Sequence, residues 1–189
     1  ITLDHVLIGN NHTEDAINVV HGQFAFRDSE FARTFADAFD ADFSTGTISN
    51  CTFHDIAGDA VDVSGTTATV SNTSMQRIGD KGLSVGENSS ATMLNVNMDT
   101  VGIGVASKDL SKVTISQSEI RQARFAALAA YIKKPVYGPA SIEAPDILIF
   151  ESDKEAVAQT GSTILLRGKP VETVNLDVDL LYQQGVLGN

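Results

Sequence analysis

The sequence predicts an all-β chain: a solenoid of stacked, parallel, single-stranded coils about 22 residues long. Three observations predict it. The first is a repeat. Segments opening Asp15-Ala-Ile, Asp37-Ala-Phe, Asp59-Ala-Val and Lys81-Gly-Leu begin 22 residues apart, and a fifth opens at Ile103. The second is chemical agreement within the columns that this spacing creates. Ile17, Phe39, Val61, Leu83 and Val105 form one apolar column; Phe26, Ile48, Val70, Met93 and Ile115 form a second. Phe31, Phe53, Met75, Met98 and Ile120 form a third, and Ile56, Ile78 and Val101 a fourth, from which Phe35 stands apart. The third is the local period. Apolar and polar residues alternate over runs of about four, as in half-buried strands, and no stretch carries the pattern of a long helix. One such unit cannot bury its own apolar face, so units must stack. A leucine-rich horseshoe also admits this period, but it needs several leucines per repeat, and residues 59–80 contain none.

In chain order, residues 1–14 read as a partial first coil with Leu3 and Ile8 facing inward. Residues 15–145 read as regular coils. Gly22, Gly46, Gly65 and Gly86 are expected in one turn column. Asp28, Asn50, Asn72, Asn95 and Gln117 form a polar column two residues after the second apolar one. Coils stack about 4.8 Å apart, so this column is expected to be a buried amide ladder. Replacing Asn72 by Leu should then cost about 1–3 kcal/mol. The segment Ile132-Lys-Lys-Pro-Val-Tyr-Gly-Pro139 lengthens its coil and must protrude. Residues 146–189 read as an irregular last coil and a cap, with strands or a short helix closing the stack. The whole of 1–189 is expected to be one β-helix domain.

Composition narrows the function. The net charge of −11 argues against nucleic acid and anionic membranes, which demand a basic surface. No apolar run reaches the roughly 18–20 residues that span a bilayer, so no membrane insertion is expected. The single Cys51 has no internal disulfide partner and no CxxC spacing. The histidines show no metal spacing, and no phosphate loop or nucleophile elbow is present. The chain opens on Ile1, so a segment of a longer protein with flanking domains is expected.

The runs "AFDADFSTGTISNCTF", "GDAVDVSG", "VGIGVASKDLSKVTI" and "AALAAYIKKPVYGPASI" resemble the right-handed parallel β-helix region of bacterial surface proteins that lies beside CotH-like kinase domains. The likeness covers roughly residues 15–145. More loosely the chain is similar to the pectate-lyase-like superfamily, which includes lyases, hydrolases, epimerases and non-catalytic modules. The kinase motifs are not in this sequence. The resemblance implies a non-catalytic extracellular or cell-surface scaffold with glycan or protein partners. The alternative it implies is a calcium-assisted lyase or epimerase acting on acidic polysaccharide. No cofactor is required by the first reading; Ca2+ is the candidate ion of the second.

Candidate residues follow from the register. In "GDAVDVSG", Val61 and Val63 face in, so Asp62 and Ser64 face out. Stacking places Asn18, Asp40, Asp62 and Ser84 in one exposed column, and Val20, Asp42, Ser64 and Gly86 in the next. Asp15, Asp37 and Asp59 form an acidic column in the turn before the strand. Like carboxylates this close repel unless cations or donors intervene. Calcium takes six to eight oxygens, so Asp40, Asp42 and Asp62 are the candidate calcium ligands, on the sheet face that holds such sites in pectate-lyase-like enzymes. Turn aspartates equally cap local N–H groups. Lys81, Lys108, Arg77, Arg121 and Arg124 either supply a lyase base or balance these acids. Tyr131, Lys133 and Tyr137, in and beside the protruding loop, are candidate glycan contacts, against the alternative of a proline-stiffened turn with solvated lysines. A non-catalytic module should present a flat acidic face; an enzyme needs a groove with a basic residue in reach of the substrate.

Overall fold

The computed structural model describes residues 1–188. Strands stack in three parallel ladders of eight, seven and eight levels. The first ladder runs through Thr2–Asp4, Gln23–Arg27, Thr45–Ser49, then 67–71, 90–94, 112–116, 141–144 and Thr163–Leu166. The second runs through Leu7–Gly9, Glu30–Thr34, Thr52–Ile56, then 74–78, 97–101, 119–123 and 147–150. The third runs through Asp15–Val20, Asp37–Asp42, Val61–Ser64, then 81–86, 103–108, 126–131, Ala156–Gln159 and Thr173–Val174. This is the predicted all-β parallel helix with its 22-residue step.

The predicted apolar columns are register columns. Phe26 pairs with Ile48, Ile48 with Val70, and Val70 with Met93. All of these side chains are fully buried. The core changes along the stack. Near the N-terminus it is aromatic: Phe31 stacks on Phe53 at 4.5 Å, and Phe39 meets Phe26 edge-on at 4.7 Å. Farther on, methionine, isoleucine, leucine and alanine fill the same columns. Thr34, not Phe35, pairs with Ile56, which leaves Phe35 on the surface, 66% exposed.

Each coil turns through left-handed corners. Asp28, Asn50, Asn72, Asn95 and Gln117 all have φ near +50°, as do Arg33, Asp55, Arg77 and Gln122 at the next corner. Asparagine tolerates this conformation better than most residues. The amide column is therefore an exposed corner, not a buried ladder. Its rungs are partial: Asn95 donates to Asn72 at 2.8 Å and Asn50 to Asp28 at 3.2 Å. The buried ladder is one of hydroxyls. The N–H of Ser44 donates to Thr66 Oγ1 at 2.9 Å, that of Thr66 to Ser89 Oγ at 2.9 Å, and that of Ser89 to Ser111 Oγ at 3.0 Å. Each of these hydroxyls follows a left-handed corner, where the ladder N–H has lost its strand partner. The four turn glycines also separate. Gly65 is a corner residue at φ +60°, Gly46 lies in the first ladder against the Phe24 ring, and Gly86 lies in the third ladder.

Lys112 pairs with Ser141 whereas Ser90 pairs with Lys112, so the coil holding residues 132–139 is seven residues longer than its neighbour. The extra residues protrude, with Val136 at the tip. At the far end, Thr163–Leu166 folds back on Lys169–Pro170, and Val171 packs against the core. Helix α1, Val178–Gln183, is N-capped by Asp177, whose carboxylate accepts the Leu180 N–H. It does not close the stack as expected. It lies across the outer face of the third ladder, burying Val178 and Leu187 against Ile103, Ala106, Ala129 and Tyr131. Those four residues form an apolar patch, and an apolar patch of that kind drives docking.

Candidate functional site

The outer face of the third ladder changes character coil by coil. Its columns read Asp15, Asp37, Asp59, Lys81, Ile103, then Asn18, Asp40, Asp62, Ser84, Ala106, Ala129, then Val20, Asp42, Ser64, Gly86, Lys108, Tyr131. The first three coils are acidic, the next is basic and small, and the last two are apolar except for Lys108 and carry the tail. Where the acidic coils meet the tail, a cleft of about 720 Å³ opens. Asp37, Asp59, Asp62, Lys81 and Lys108 form its floor. Phe35, Arg124 and Phe125 stand at the corner side, and Lys133 with Gly185, Val186 and Gly188 at the tail side. The face is thus concave, not the flat one expected of a non-catalytic module; its floor lysines, Lys81 and Lys108, are each set against a carboxylate and held charged, which argues against either as a base.

Backbone donors and buried lysines hold the acids. Asp37 Oδ1 accepts the Asp59 N–H at 2.6 Å, and Asp59 Oδ1 accepts the Lys81 N–H at 2.8 Å. The repeated turn aspartate therefore ties each coil to the next, as a capping residue does. Lys81 is 3% exposed, and its ammonium lies 2.5 Å from Asp80 and 3.5 Å from Asp59. Burial alone would push this lysine down, but Asp59 and Asp80 hold it above its ordinary value. Lys108 behaves alike: burial opposes its charge, and Asp62 restores it. The acids move up. Burial, then Asp62 and Asp42, push Asp40 to about 7. Burial and the neighbouring Asp62 push Asp37 to about 6 against the Asp59 N–H that lowers it. Burial raises Asp59 strongly.

The predicted residues fall in three places. Asn18 and Asp40 lie side by side on the open acidic coils, where Asn18 Nδ2 donates to Asp40 Oδ2 at 2.8 Å, and Asp42 continues that face. Asp62 reaches the cleft. The carboxylates within 4.8 Å of one another are those of Asp37, Asp59 and Asp62, a different trio from Asp40, Asp42 and Asp62. Tyr131 cannot stack on a sugar. It is fully buried beneath the tail, and its hydroxyl bonds that of Tyr182 at 2.9 Å. Lys133 sits at the cleft wall with its ammonium 4.3 Å from the Tyr182 ring. Tyr137 lies outside the cleft and donates to Glu87 at 3.3 Å, beside the Lys134–Glu87 pair. Arg77 pairs with Asp55, and Arg121 lies over Phe150, both away from the cleft.

Sequence reasoning missed Phe35, Phe125, Asp80 and the tail as cleft walls. Phe35 carried a signal, since it was the aromatic that broke its column. The tail carried none, because its contacts span some 50–75 residues of sequence.

A family model described as the right handed beta helix region matches residues 3–136. No curated protein matches the chain, and no solved structure does. The match covers more than half of the sequence and agrees with the ladders and their 22-residue register. The chain belongs to the right-handed β-helix family.

Proposed function

We propose that the chain is a non-catalytic glycan-binding module of a larger bacterial cell-surface protein, a rigid arm that presents the cleft of its third ladder. One observation carries the reading: an exposed aromatic, Phe35, stands at the mouth of a polar cleft floored by interleaved carboxylates and ammoniums. Sugar rings stack on aromatic faces while their hydroxyls use such mixed donors and acceptors. The likeness of residues 15–145 to surface-protein β-helices supports the setting. The trio Asp37, Asp59 and Asp62 does not fit calcium well. Two of its carboxylates are engaged by backbone N–H groups, and the Lys81 ammonium already occupies the neighbourhood of Asp59. Titration of the intact chain against a glycan array and by calorimetry tests the reading. Saccharide binding that weakens in Phe35→Ala is the expected result; no binding to any saccharide would sink it.

A second reading, a lyase or epimerase for acidic polysaccharide, draws on one residue. A base must be neutral to take a proton. Lys81 and Lys108 are held charged, whereas burial and the nearby Lys108 push Lys133 down. Unsaturated uronate released from pectate or alginate, and abolished in Lys133→Met, would replace the first reading with this one.

A further inference from the structure

Among the described residues, Asp62 Oδ1 is buried without a hydrogen bond, and so is Ser84 Oγ, in register with Asp62 on the next coil. Facing Asp62 is the Lys108 ammonium. Its side chain is 9% exposed, and its nearest carboxylate oxygen is Asp62 Oδ1 at 3.9 Å, too far for a hydrogen bond. The lysine side chain passes over Gly86, where an added Cβ would stand in ordinary contact with it, 3.4 Å from Lys108 Cε. Lys81, by contrast, closes directly on Asp80 and Asp59. Burying unmatched polar groups costs free energy unless a partner enters.

The partner that suits Asp62 and Lys108, which both line the cleft, accepts and donates. A cation would meet Lys108, and an anion would meet Asp62. A hydroxyl accepts from the Lys108 ammonium and donates to Asp62. We infer that Asp62 and Lys108 form a recognition site for a hydroxyl of an uncharged sugar or polyol. This inference rests on the cleft being the glycan site. It differs from the acidic-polysaccharide expectation, because the subsite itself is neutral.

The test is calorimetric titration of the intact chain with neutral methyl glycosides, with glucuronate as the charged comparison. Neutral glycosides should bind, and Asp62→Ala and Lys108→Met should each weaken binding about 10- to 100-fold, the value of a hydrogen bond to a charged group. Melting temperatures report folding. Asp62→Asn, which keeps the side-chain volume, carries the test if either variant unfolds, with weaker binding again expected. Equal binding in all variants overturns the subsite; if Phe35→Ala still weakens binding, the cleft reading survives. Binding of glucuronate alone overturns the neutral subsite. Binding of no saccharide overturns both, and the gap then belongs to water.

Discussion

The two halves of the third ladder share a backbone and differ in what they show the solvent. At the first three coils, columns carry Asp37, Asp40, Asp59 and Asp62, and the face stays polar. At the fifth and sixth coils, the same columns carry Ile103, Ala106 and Ala129, and the tail covers them. One register position is an acid in one coil and an alanine two coils later. A solenoid separates its inner job from its outer one, because each residue contacts mainly its neighbours in the adjacent coils. The cleft arises at the boundary, where covering stops and charge begins.

The core should not distinguish the halves, and the largest effects test that. Phe39→Ala should destabilise the chain by about 3–5 kcal/mol, and Leu128→Ala by about 2–5 kcal/mol, in denaturant titration. Both side chains are fully buried. A near-neutral result for Leu128→Ala would mean that the covered half does not share the fold's cooperativity. Lys81→Met attacks the acidic half. Removing one partner of a buried ion pair should cost about 3 kcal/mol at pH 8, and less at pH 5, where Asp59 is free to protonate.

The acidic half should also give the chain its pH dependence. Asp37 and Asp40 stand at about 6 and 7 in the folded chain against an ordinary 3.8. The folded state therefore binds protons more tightly than the unfolded state. Their destabilising effect is absent below about pH 4 and grows as pH rises through 6 to 7. Discounted for solvent screening, it amounts to about 1–2 kcal/mol. Melting should be higher at pH 5 than at pH 8, and Asp40→Asn should flatten the difference. An opposite slope would mean that the outward column is paired.

Tyr182→Phe probes the covered half. It strands the buried Tyr131 hydroxyl and should cost about 1 kcal/mol. The loss should be local, read as faster amide exchange over 176–188 with the acidic coils unchanged. At the corners, Thr66→Val should cost about 1–3 kcal/mol because it removes a rung of the buried hydroxyl ladder. Asn72→Leu should cost only about 1 kcal/mol, the strain of a left-handed leucine, and Asn72→Gly nearly nothing.

Most of the fold was legible. Ile17, Phe39, Val61 and Leu83 align because one 22-residue step repeats, and repetition turns a long-range contact into a short count along the chain. The corners were legible in position but not in role. Asn72 marks a left-handed turn, and the following Thr73 and, one corner back, Thr66 accept the buried hydrogen bonds. A column of amides reads the same whether it faces in or out, since the left-handed residue breaks the alternation by which facing is inferred. Of the cleft, Asp62 and Lys108 could be placed on one face from register alone. Their meeting across two coils could not, because it depends on the reach of a lysine over Gly86.

By itself the sequence determined the ladder, its period, the inward columns and the acidic outer face, all of which follow from nearest-neighbour stacking of a repeated unit. Only the tertiary structure decided that Tyr131 is core, that Phe35 is rim, and that the acidic face is walled into a cleft. The physical reason is the same in each case. The residues after the last regular coil fold back over coils that precede them, and no periodicity encodes where a non-repeating segment will find an apolar patch to cover.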